Sequence, residues 1–230
     1  MTPRLQALGD AALTLELGEG IDPAVNARVM AARDALAAAS LPGVRDLVPT
    51  YRSLTVHFDP LVTDRAALAE HLLAAAAKQA NSVLGGRHFE IPVQFGGAFG
   101  PDLDEVARTT GRSADEIVTT LCSLDLRVYL IGFLPGFPYL GDLPDWLRLP
   151  RRATPRTAVP ANSVAIAGPQ AAVYPWQSPG GWHLLGRTTL TLFDATNSAR
   201  PALLAPGDTV RFRRIEDVRD IQDGQDGRHA

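Results

Sequence analysis

Apolar residues follow two different spacings along the first 84 residues. They recur at every third or fourth position after Asp22 and again after Thr63, which predicts two helices capped by these two residues. Before and between the helices, short apolar runs predict strands at 5–8, 12–17, 44–48 and 54–58. The order β-β-α-β-β-α predicts a small antiparallel sheet covered by helices on one side. Nothing in this part indicates chemistry, so we expect a scaffold or docking domain.

The second part of the chain is dominated by short strands. A pair of glycines predicts a linker, and we place the boundary between residues 84 and 85. The later apolar runs predict strands at 88–93, 127–131, 163–167, 171–174, 184–185, 189–193 and 209–212. Short strands separated by Gly and Pro favour a closed β barrel over residues 85–214, because closure removes sheet edges. Residues 215–230 are charged and without apolar period, which predicts a disordered tail.

Two short helices are expected between the first two of these later strands. Asp102 with Glu105, and Ser113 with Glu116, have the spacing at which a cap residue and the third helical residue satisfy each other's backbone donors. These acidic residues are therefore interpreted as helix caps rather than as an acid/base pair.

Composition excludes several classes of protein. The chain has 230 residues, 46% of them hydrophobic, and a net charge of -3, which provides no electrostatic footprint for nucleic acid. No apolar run reaches membrane-spanning length, and residues 1–4 do not resemble a signal peptide, so we expect a cytoplasmic protein. Cys122 is the single cysteine and is expected to be an inert buried thiol, and the five scattered histidines predict no metal site.

Stiff loops carrying large aromatic rings stand out between residues 128 and 187. Gly, Pro, Phe, Tyr and Trp crowd together at 132–141, 150–156 and 178–182. Loops of this kind suit ligand or partner recognition, since proline lowers the ordering cost and glycine permits close approach. The alternative is that the rings plug one end of the barrel.

These loops resemble a known bacterial family. Residues 128–142, 150–156, 159–170 and 173–188 are similar to the B subunit of 5-oxoprolinase, whose family is also described as Kip inhibitor or allophanate hydrolase subunit 1. Further matches in the front half extend the similarity to nearly the whole chain. The resemblance implies an α+β fold, with a small N-terminal antiparallel α/β sandwich followed by a cyclophilin-like β barrel, the unit found as subdomains C and D of carboxyltransferases.

The resemblance also implies a function in a complex. The family works with two partners, the cyclophilin-like C subunit of 5-oxoprolinase and its A subunit. The complex opens the lactam of 5-oxoproline to glutamate and consumes ATP. The sequence has no Gly-x-x-x-x-Gly-Lys-Ser/Thr loop, so ATP is expected as a co-substrate of the complex and no cofactor is expected on this chain alone.

Candidate binding residues follow from the resemblance and from what a lactam requires. Arg156 and Arg187 are candidates for anion binding, and Gln170 and Tyr174 for orienting the amide. His183 could act as acid or base, although we favour a solvated loop histidine. The remaining candidates are loop residues expected to shape a ligand or partner surface: Pro135, Gly136, Phe137, Pro138, Tyr139, Gly180, Gly181 and Trp182. The sequence assigns no catalytic residue.

Four positions depart from the family pattern and leave the function open between two classes. Ala98 replaces an acid, Leu121 a histidine, Asn162 a glycine and Ala171 a threonine. Without the carboxylate and the imidazole, ordinary proton-transfer groups are missing. The first hypothesis is a subunit of an ATP-dependent 5-oxoprolinase-type amidohydrolase, and the alternative is a non-catalytic binding module such as a Kip-type inhibitor of a sensor histidine kinase.

Overall fold

A computed structural model of the chain describes residues 2–77 and 86–216. The chain divides into two compact units, residues 1–85 and 86–230. The sequence boundary expected between residues 84 and 85 lies outside the described residues, as does the tail beyond residue 216. Within the described part, no helix combines the length and the apolar character that crossing a membrane requires.

The first unit is a four-stranded antiparallel sheet with two helices. In chain order its elements are β1 (Arg4–Ala7), β2 (Ala12–Glu16), α1 (Pro23–Ala39), β3 (Val44–Pro49), β4 (Ser53–Phe58) and α2 (Arg65–Ala77). The strands lie in the order β1-β2-β4-β3. Alternate residues of β2 and β4, such as Leu15 and Leu54, are fully buried against Val29 of α1 and Leu68 of α2. The α+β sandwich expected from the hydrophobic pattern is therefore present.

The N-cap residues predicted for α1 and α2 can be compared with those in the structure. The Asp22 carboxylate accepts hydrogen bonds from the first backbone N–H groups of α1, as predicted. The predicted cap of α2 is wrong by one residue, because Asp64, not Thr63, accepts from the Ala67 backbone N–H at 2.9 Å. The Thr63 hydroxyl instead donates to the carbonyl oxygen of Pro42, which joins the start of α2 to the turn before β3.

The second unit is built on a closed seven-stranded barrel. Its elements are β5 (His88–Phe95), α3 (Leu103–Thr110), α4 (Ala114–Ser123), β6 (Leu126–Ile131), β7 (Pro138–Gly141), a 3₁₀ turn (Asp145–Leu147), β8 (Arg156–Val159), β9 (Ser163–Ala167), β10 (Gln170–Val173), β11 (Ser178–Gly180), β12 (His183–Arg187) and β13 (Thr209–Arg214). The ring runs β10-β7-β6-β13-β5-β12-β9 and closes through the β9–β10 pair. All pairs are antiparallel except β13 with β5. Strands β8 and β11 form a separate two-stranded sheet.

The barrel interior is apolar and is closed by helices. Ile91, Val128, Val164 and Phe212 come from four different strands and are almost fully buried in one cluster. Residues of α3 and α4 pack on the same cluster, and the capping box of Ser113 and Glu116 begins α4 as predicted. The cyclophilin-like barrel expected from the sequence is therefore the architecture of this unit.

Several short segments differ from the sequence expectation. Residues 189–193 do not form a strand; only the isolated bridge of Phe193 with Ala202 is present, and the Leu190 N–H donates to the Thr188 hydroxyl. Three strands were not predicted, namely β7, β8 and β11. All three are four residues long or shorter, and β7 and β11 also contain Gly or Pro, so the local pattern resembles that of a loop.

Candidate functional site

An aromatic cavity opens among loops and strand ends of the barrel unit. It has a volume of about 280 Å³. The hairpin between β6 and β7 contributes one wall, and the segments before β8 and β12 contribute the others. Its lining residues are Phe133, Phe137, Tyr139, Arg151, Pro155, Tyr174, Pro179, Gly180, Gly181 and Trp182. This cavity is the candidate functional site.

Edge-to-face packing fixes the rings of the cavity. The Phe137 ring lies 5.0 Å from that of Tyr139, 5.1 Å from Tyr174 and 5.9 Å from Trp182, measured between centroids. Such T-shaped pairs are favourable because the positive ring edge meets the negative ring face. Phe137, Tyr174 and Trp182 are buried, while Phe133 at the rim is 63% exposed. The rings therefore fill space and also present one preorganised face to the cavity.

The polar groups of the cavity are two phenols and one guanidinium. Burial raises the pKa of Tyr174 to about 12 despite the nearby charge of Arg151, and burial also raises the pKa of Tyr139. Both phenols are therefore neutral near pH 7 and can donate hydrogen bonds. The Arg151 guanidinium stands 6.0 Å from the Trp182 ring centroid and makes no ion pair or hydrogen bond within residues 2–77 and 86–216. The cavity can thus accommodate an apolar ring with an anionic group at its edge.

Asp102 organises the segment that carries the arginines. Its carboxylate is buried and accepts from Arg156 at 2.6 Å, from Arg152 at 2.9 Å and from the Leu184 backbone N–H at 2.7 Å. The prediction that Asp102 caps α3 is wrong, since its side chain makes no capping bond and is turned toward β12. The carboxylate joins α3, β12 and the segment before β8.

The pKa of Asp102 reflects this environment. Burial raises it, but the hydrogen bond from Arg156, the Leu184 N–H and the charges of Arg156 and Arg152 together outweigh burial. The net effect is a pKa below the ordinary value, so the carboxylate is ionised at neutral pH.

Six of the twelve residues proposed from the sequence line the cavity: Phe137, Tyr139, Tyr174, Gly180, Gly181 and Trp182. Arg156 and Arg187 do not, because Arg156 is bound by Asp102 and the Arg187 Nε donates to the Ala161 carbonyl oxygen at 2.9 Å. The other four are also absent from the lining: Pro135, Gly136, Pro138 and Gln170.

Pro135 and Gly136 shape the hairpin rather than the cavity wall. Gly136 has a φ of 78°, and an added Cβ would lie 2.7 Å from the Cβ of Phe193, so only glycine fits this close approach. The Pro135 carbonyl oxygen accepts from the Trp176 indole at 3.2 Å. Pro138 and Gln170 lie in the barrel strands β7 and β10.

Sequence reasoning missed four lining residues: Phe133, Arg151, Pro155 and Pro179. Arg151 matters most among them, because it is the one arginine in the lining, whereas Arg156 and Arg187, the arginines named from the sequence, do not line the cavity. Its signal was the Pro150-Arg151-Arg152 run, but sequence alone does not identify which arginine has a carboxylate partner.

The structure contradicts the sequence prediction for His183 and agrees with the one for Cys122. His183 is not a solvated loop histidine: it begins β12, is only 9% exposed and faces the Pro150 carbonyl oxygen at 2.9 Å from Nε2. Burial raises the pKa of the half-buried Cys122 thiol, which agrees with an inert thiol. In the described ranges, no three side chains of His, Cys, Asp or Glu come together as a metal-binding group.

The four positions that depart from the family pattern lie outside the cavity lining. Ala98 is exposed in a turn, whereas Leu121 and Ala171 are fully buried in the barrel core. Asn162 has a φ of 65°, which explains why glycine suits this position and why asparagine is accepted there. The four changes therefore alter the turn and the core without altering the cavity wall.

Comparison with known proteins places this architecture in a family. Residues 3–204 match the family described as carboxyltransferase domain, subdomain C and D. Over 228 residues the chain is 37% identical to the 5-oxoprolinase B subunit of Bacillus subtilis (strain 168), covering 93% of each protein. The chain belongs to the family of 5-oxoprolinase B subunits.

Other relatives agree with this assignment. The 5-oxoprolinase B subunit of Escherichia coli O157:H7 is 41% identical over 213 residues, which cover 91% of the present chain and 94% of the relative. The crystal structure of TTHA0988 in space group P212121 is 40% identical, with a TM-score of 0.80 over 90% of the chain. The present chain spans only 40% of that longer protein. The family match confirms the resemblance identified from the loop motifs.

Proposed function

We propose that the chain is the B subunit of an ATP-dependent 5-oxoprolinase-type amidohydrolase complex, and that its aromatic cavity binds the lactam substrate. The observation that carries the proposal is Arg151: a guanidinium without an anionic partner in the described ranges, at the edge of a cavity walled by aromatic rings. The curated relatives, which are named as B subunits of 5-oxoprolinase, support the same assignment.

The cavity chemistry matches the parts of 5-oxoproline, a five-membered lactam that carries a carboxylate. Its flat ring fits against Trp182 and Phe137, whose orientations are fixed by their mutual packing. Arg151 can bind the carboxylate with two parallel N–H···O bonds. A neutral phenol of Tyr139 or Tyr174 can donate to the lactam carbonyl oxygen, which polarises the carbon that must be attacked.

The reaction needs groups that this chain does not supply. The sequence has no phosphate-binding loop of the Gly-x-x-x-x-Gly-Lys-Ser/Thr type. We therefore assign the ATP chemistry to partner subunits of types C and A, with this chain holding the lactam. Ala98, Leu121, Asn162 and Ala171 do not line the cavity, so the role in binding is compatible with all four changes.

The test is reconstitution of the complex. The chain is co-purified with the candidate A and C subunits, and 5-oxoproline-dependent ATP hydrolysis and glutamate formation are measured. Arg151→Gln should raise KM for 5-oxoproline about 10- to 100-fold, since it removes a charged hydrogen-bonding group. Arg200→Gln is the matched control, because Arg200 is exposed and outside the cavity. A competent complex in which Arg151→Gln behaves like Arg200→Gln would refute the proposed role of the cavity.

A second candidate function is the non-catalytic binding of a proline-containing segment of a sensor histidine kinase. The exposed rings of Phe133 and of Trp176, which is 42% exposed, favour it, because proline rings pack well on aromatic faces. This function predicts that a proline-containing kinase peptide binds the isolated chain and that Phe133→Ser abolishes binding. Absence of such binding, together with turnover in the reconstituted complex, would decide for the enzyme.

A further inference from the structure

The aromatic cavity has an excess of positive charge at one edge. Arg151 lines the cavity, and the guanidinium groups of Arg152 and Arg156 belong to the same segment. These three cations face two carboxylates: Asp102 pairs with Arg152 at 2.9 Å and with Arg156 at 2.6 Å, and Glu105 pairs with Arg152 at 3.0 Å. The cluster therefore retains one positive charge that it does not neutralise itself.

The electrostatic potential of Arg151 reaches into the cavity. Burial raises the pKa of the Tyr174 phenol to about 12 and also raises that of Tyr139, and at both phenols the charge of Arg151 acts against burial. Groups whose pKa responds to this charge lie within its field, where an anion is favoured and a second cation is disfavoured. The space beside the two phenols is therefore positive in potential and poorly solvated.

The wall of the cavity presents donors rather than acceptors. Its polar side chains are two phenols and a guanidinium, and the Tyr174 hydroxyl already accepts from the Trp182 backbone N–H. Several backbone carbonyl oxygens of the wall already accept a hydrogen bond from within the chain, namely those of Phe137, Tyr174, Pro179 and Gly181. A cationic ligand group would therefore meet a wall whose acceptors are largely in use.

The ring faces give a cation little compensation. Trp is the aromatic side chain that attracts cations best, but the Arg151 guanidinium already stands over the Trp182 ring, 6.0 Å from its centroid. Phe137 is only 1% exposed, because three neighbouring rings pack around it. A ligand ammonium would thus meet a like charge at the ring where cation–π attraction is strongest.

The charge on the ligand nitrogen changes during the reaction proposed above. In 5-oxoproline this nitrogen belongs to a neutral amide. Hydrolysis joins the water oxygen to the lactam carbonyl carbon, breaks the C–N bond and leaves both water protons on the nitrogen, which becomes the ammonium group of glutamate. Proline, which has the same five-membered ring and carboxylate, has a charged nitrogen from the outset.

We propose that the aromatic cavity selects carboxylates whose nitrogen is neutral and rejects those that bear an ammonium group, with Arg151 as the specificity-determining residue. This inference rests on the proposed function and deepens it: the cavity admits the lactam, excludes proline, and releases glutamate once the ring is open. An ammonium group in the cavity loses water beside a like charge. The charge that the reaction creates therefore favours departure of the product.

The test compares three ligands on the isolated full-length chain by calorimetry at neutral pH. 5-Oxoproline, cyclopentanecarboxylate and proline share a five-membered ring and a carboxylate, but only proline bears an ammonium group. The first two are each expected to bind at least about tenfold more tightly than proline, because hydrogen bonds that a charged group loses are worth at least this factor. Proline binding as tightly as either of them, or no binding of 5-oxoproline, would overturn the proposal.

Charge reversal at position 151 tests the assignment to Arg151. Arg151→Glu replaces the cation by a carboxylate and should reverse the order, so that proline binds more tightly than cyclopentanecarboxylate. Arg200→Glu is the matched control, since Arg200 is exposed and outside the cavity, and should keep the wild-type order. Arg151 is itself exposed, so the folded state should tolerate the change. An unchanged order in Arg151→Glu would contradict the assignment.

The reconstituted complex separates this inference from the proposed function. Glutamate is expected to inhibit weakly, with a Ki at least about tenfold above the KM for 5-oxoproline. Turnover that glutamate or proline inhibits strongly would refute the selectivity and leave the proposed function standing. The expected ligand order on the isolated chain, together with a competent complex that does not turn over 5-oxoproline, would leave only the selectivity standing.

Discussion

Replacing Asp102 by asparagine should destabilise the barrel unit by about 3 kcal/mol at neutral pH. Removing one partner of a buried ion pair costs about 3–5 kcal/mol, because the other charge stays desolvated. Here the side chain of Asp102 is 4% exposed, but those of Arg152 and Arg156 are 26% and 25% exposed, which brings the loss to the lower end of that range. Arg152 also keeps Glu105 as a partner.

The assay can report on the barrel unit alone. All three tryptophans of the chain, Trp146, Trp176 and Trp182, belong to this unit, so urea unfolding followed by tryptophan fluorescence does not detect the first unit. Asp104→Asn is the matched control, since Asp104 is exposed in the first turn of α3. If the two variants unfold at the same urea concentration, the Asp102 cluster does not stabilise the barrel as we argue.

The pH dependence gives an independent check with a defined sign. The pKa of Asp102 is lowered in the folded chain, so the unfolded chain takes up this proton at a higher pH than the folded chain does. The stabilisation is therefore complete near neutral pH and is lost as the pH falls from about 4 toward the folded pKa. Asp102→Asn should weaken this acid dependence, while an equally steep loss in the variant would exclude Asp102 as its source.

Three further outcomes are expected. In Gly180→Ala the added Cβ would clash with the buried Tyr174 hydroxyl, which should destabilise the barrel by about 1–3 kcal/mol in urea unfolding and reduce ligand binding. Gly181→Ala is the control: its Cβ would be 3.6 Å from the nearest atom, so this variant should unfold like the wild type. The pKa of Tyr174 is raised to about 12 in the folded chain, so as the pH rises its phenol loses the proton in the unfolded chain before it does so in the folded chain. Up to about 2–3 kcal/mol of the free energy of unfolding should therefore be lost between pH 10 and 12. Tyr174→Phe should flatten that loss, and an equally steep loss in this variant would exclude Tyr174 as its source. Ser113→Ala should cost about 1 kcal/mol in urea unfolding through its lost cap, and no change would mean that the cap is dispensable.

The sequence predicted those features that depend on neighbours in the chain. Ser113 and Glu116 are three residues apart, and their mutual capping needs no other part of the protein. Asp102 and Glu105 have the same spacing, yet Asp102 binds the Leu184 N–H, 82 residues away. A contact of this range leaves no trace in local spacing, which is why the capping prediction was wrong.

The same difference between local and long-range contacts explains which residues of the candidate site could be predicted. The aromatic residues were identified because large rings among Gly and Pro are unusual in loops. Which arginine is available to a ligand is decided by Asp102, which engages Arg152 and Arg156 and leaves Arg151 to the cavity. Strand β7 was likewise missed because its pairing with β6 and β10, rather than its own composition, makes it a strand.

The position of β13 has a consequence for biosynthesis. This strand is inserted between β5 and β6, although it follows both by more than 70 residues. A nascent chain that has not yet reached residue 214 therefore exposes two open sheet edges and part of an apolar interior. Pairing across such a sequence distance forms slowly. The strand that closes the barrel is therefore translated late. We expect chains that terminate early to depend on chaperones and to aggregate.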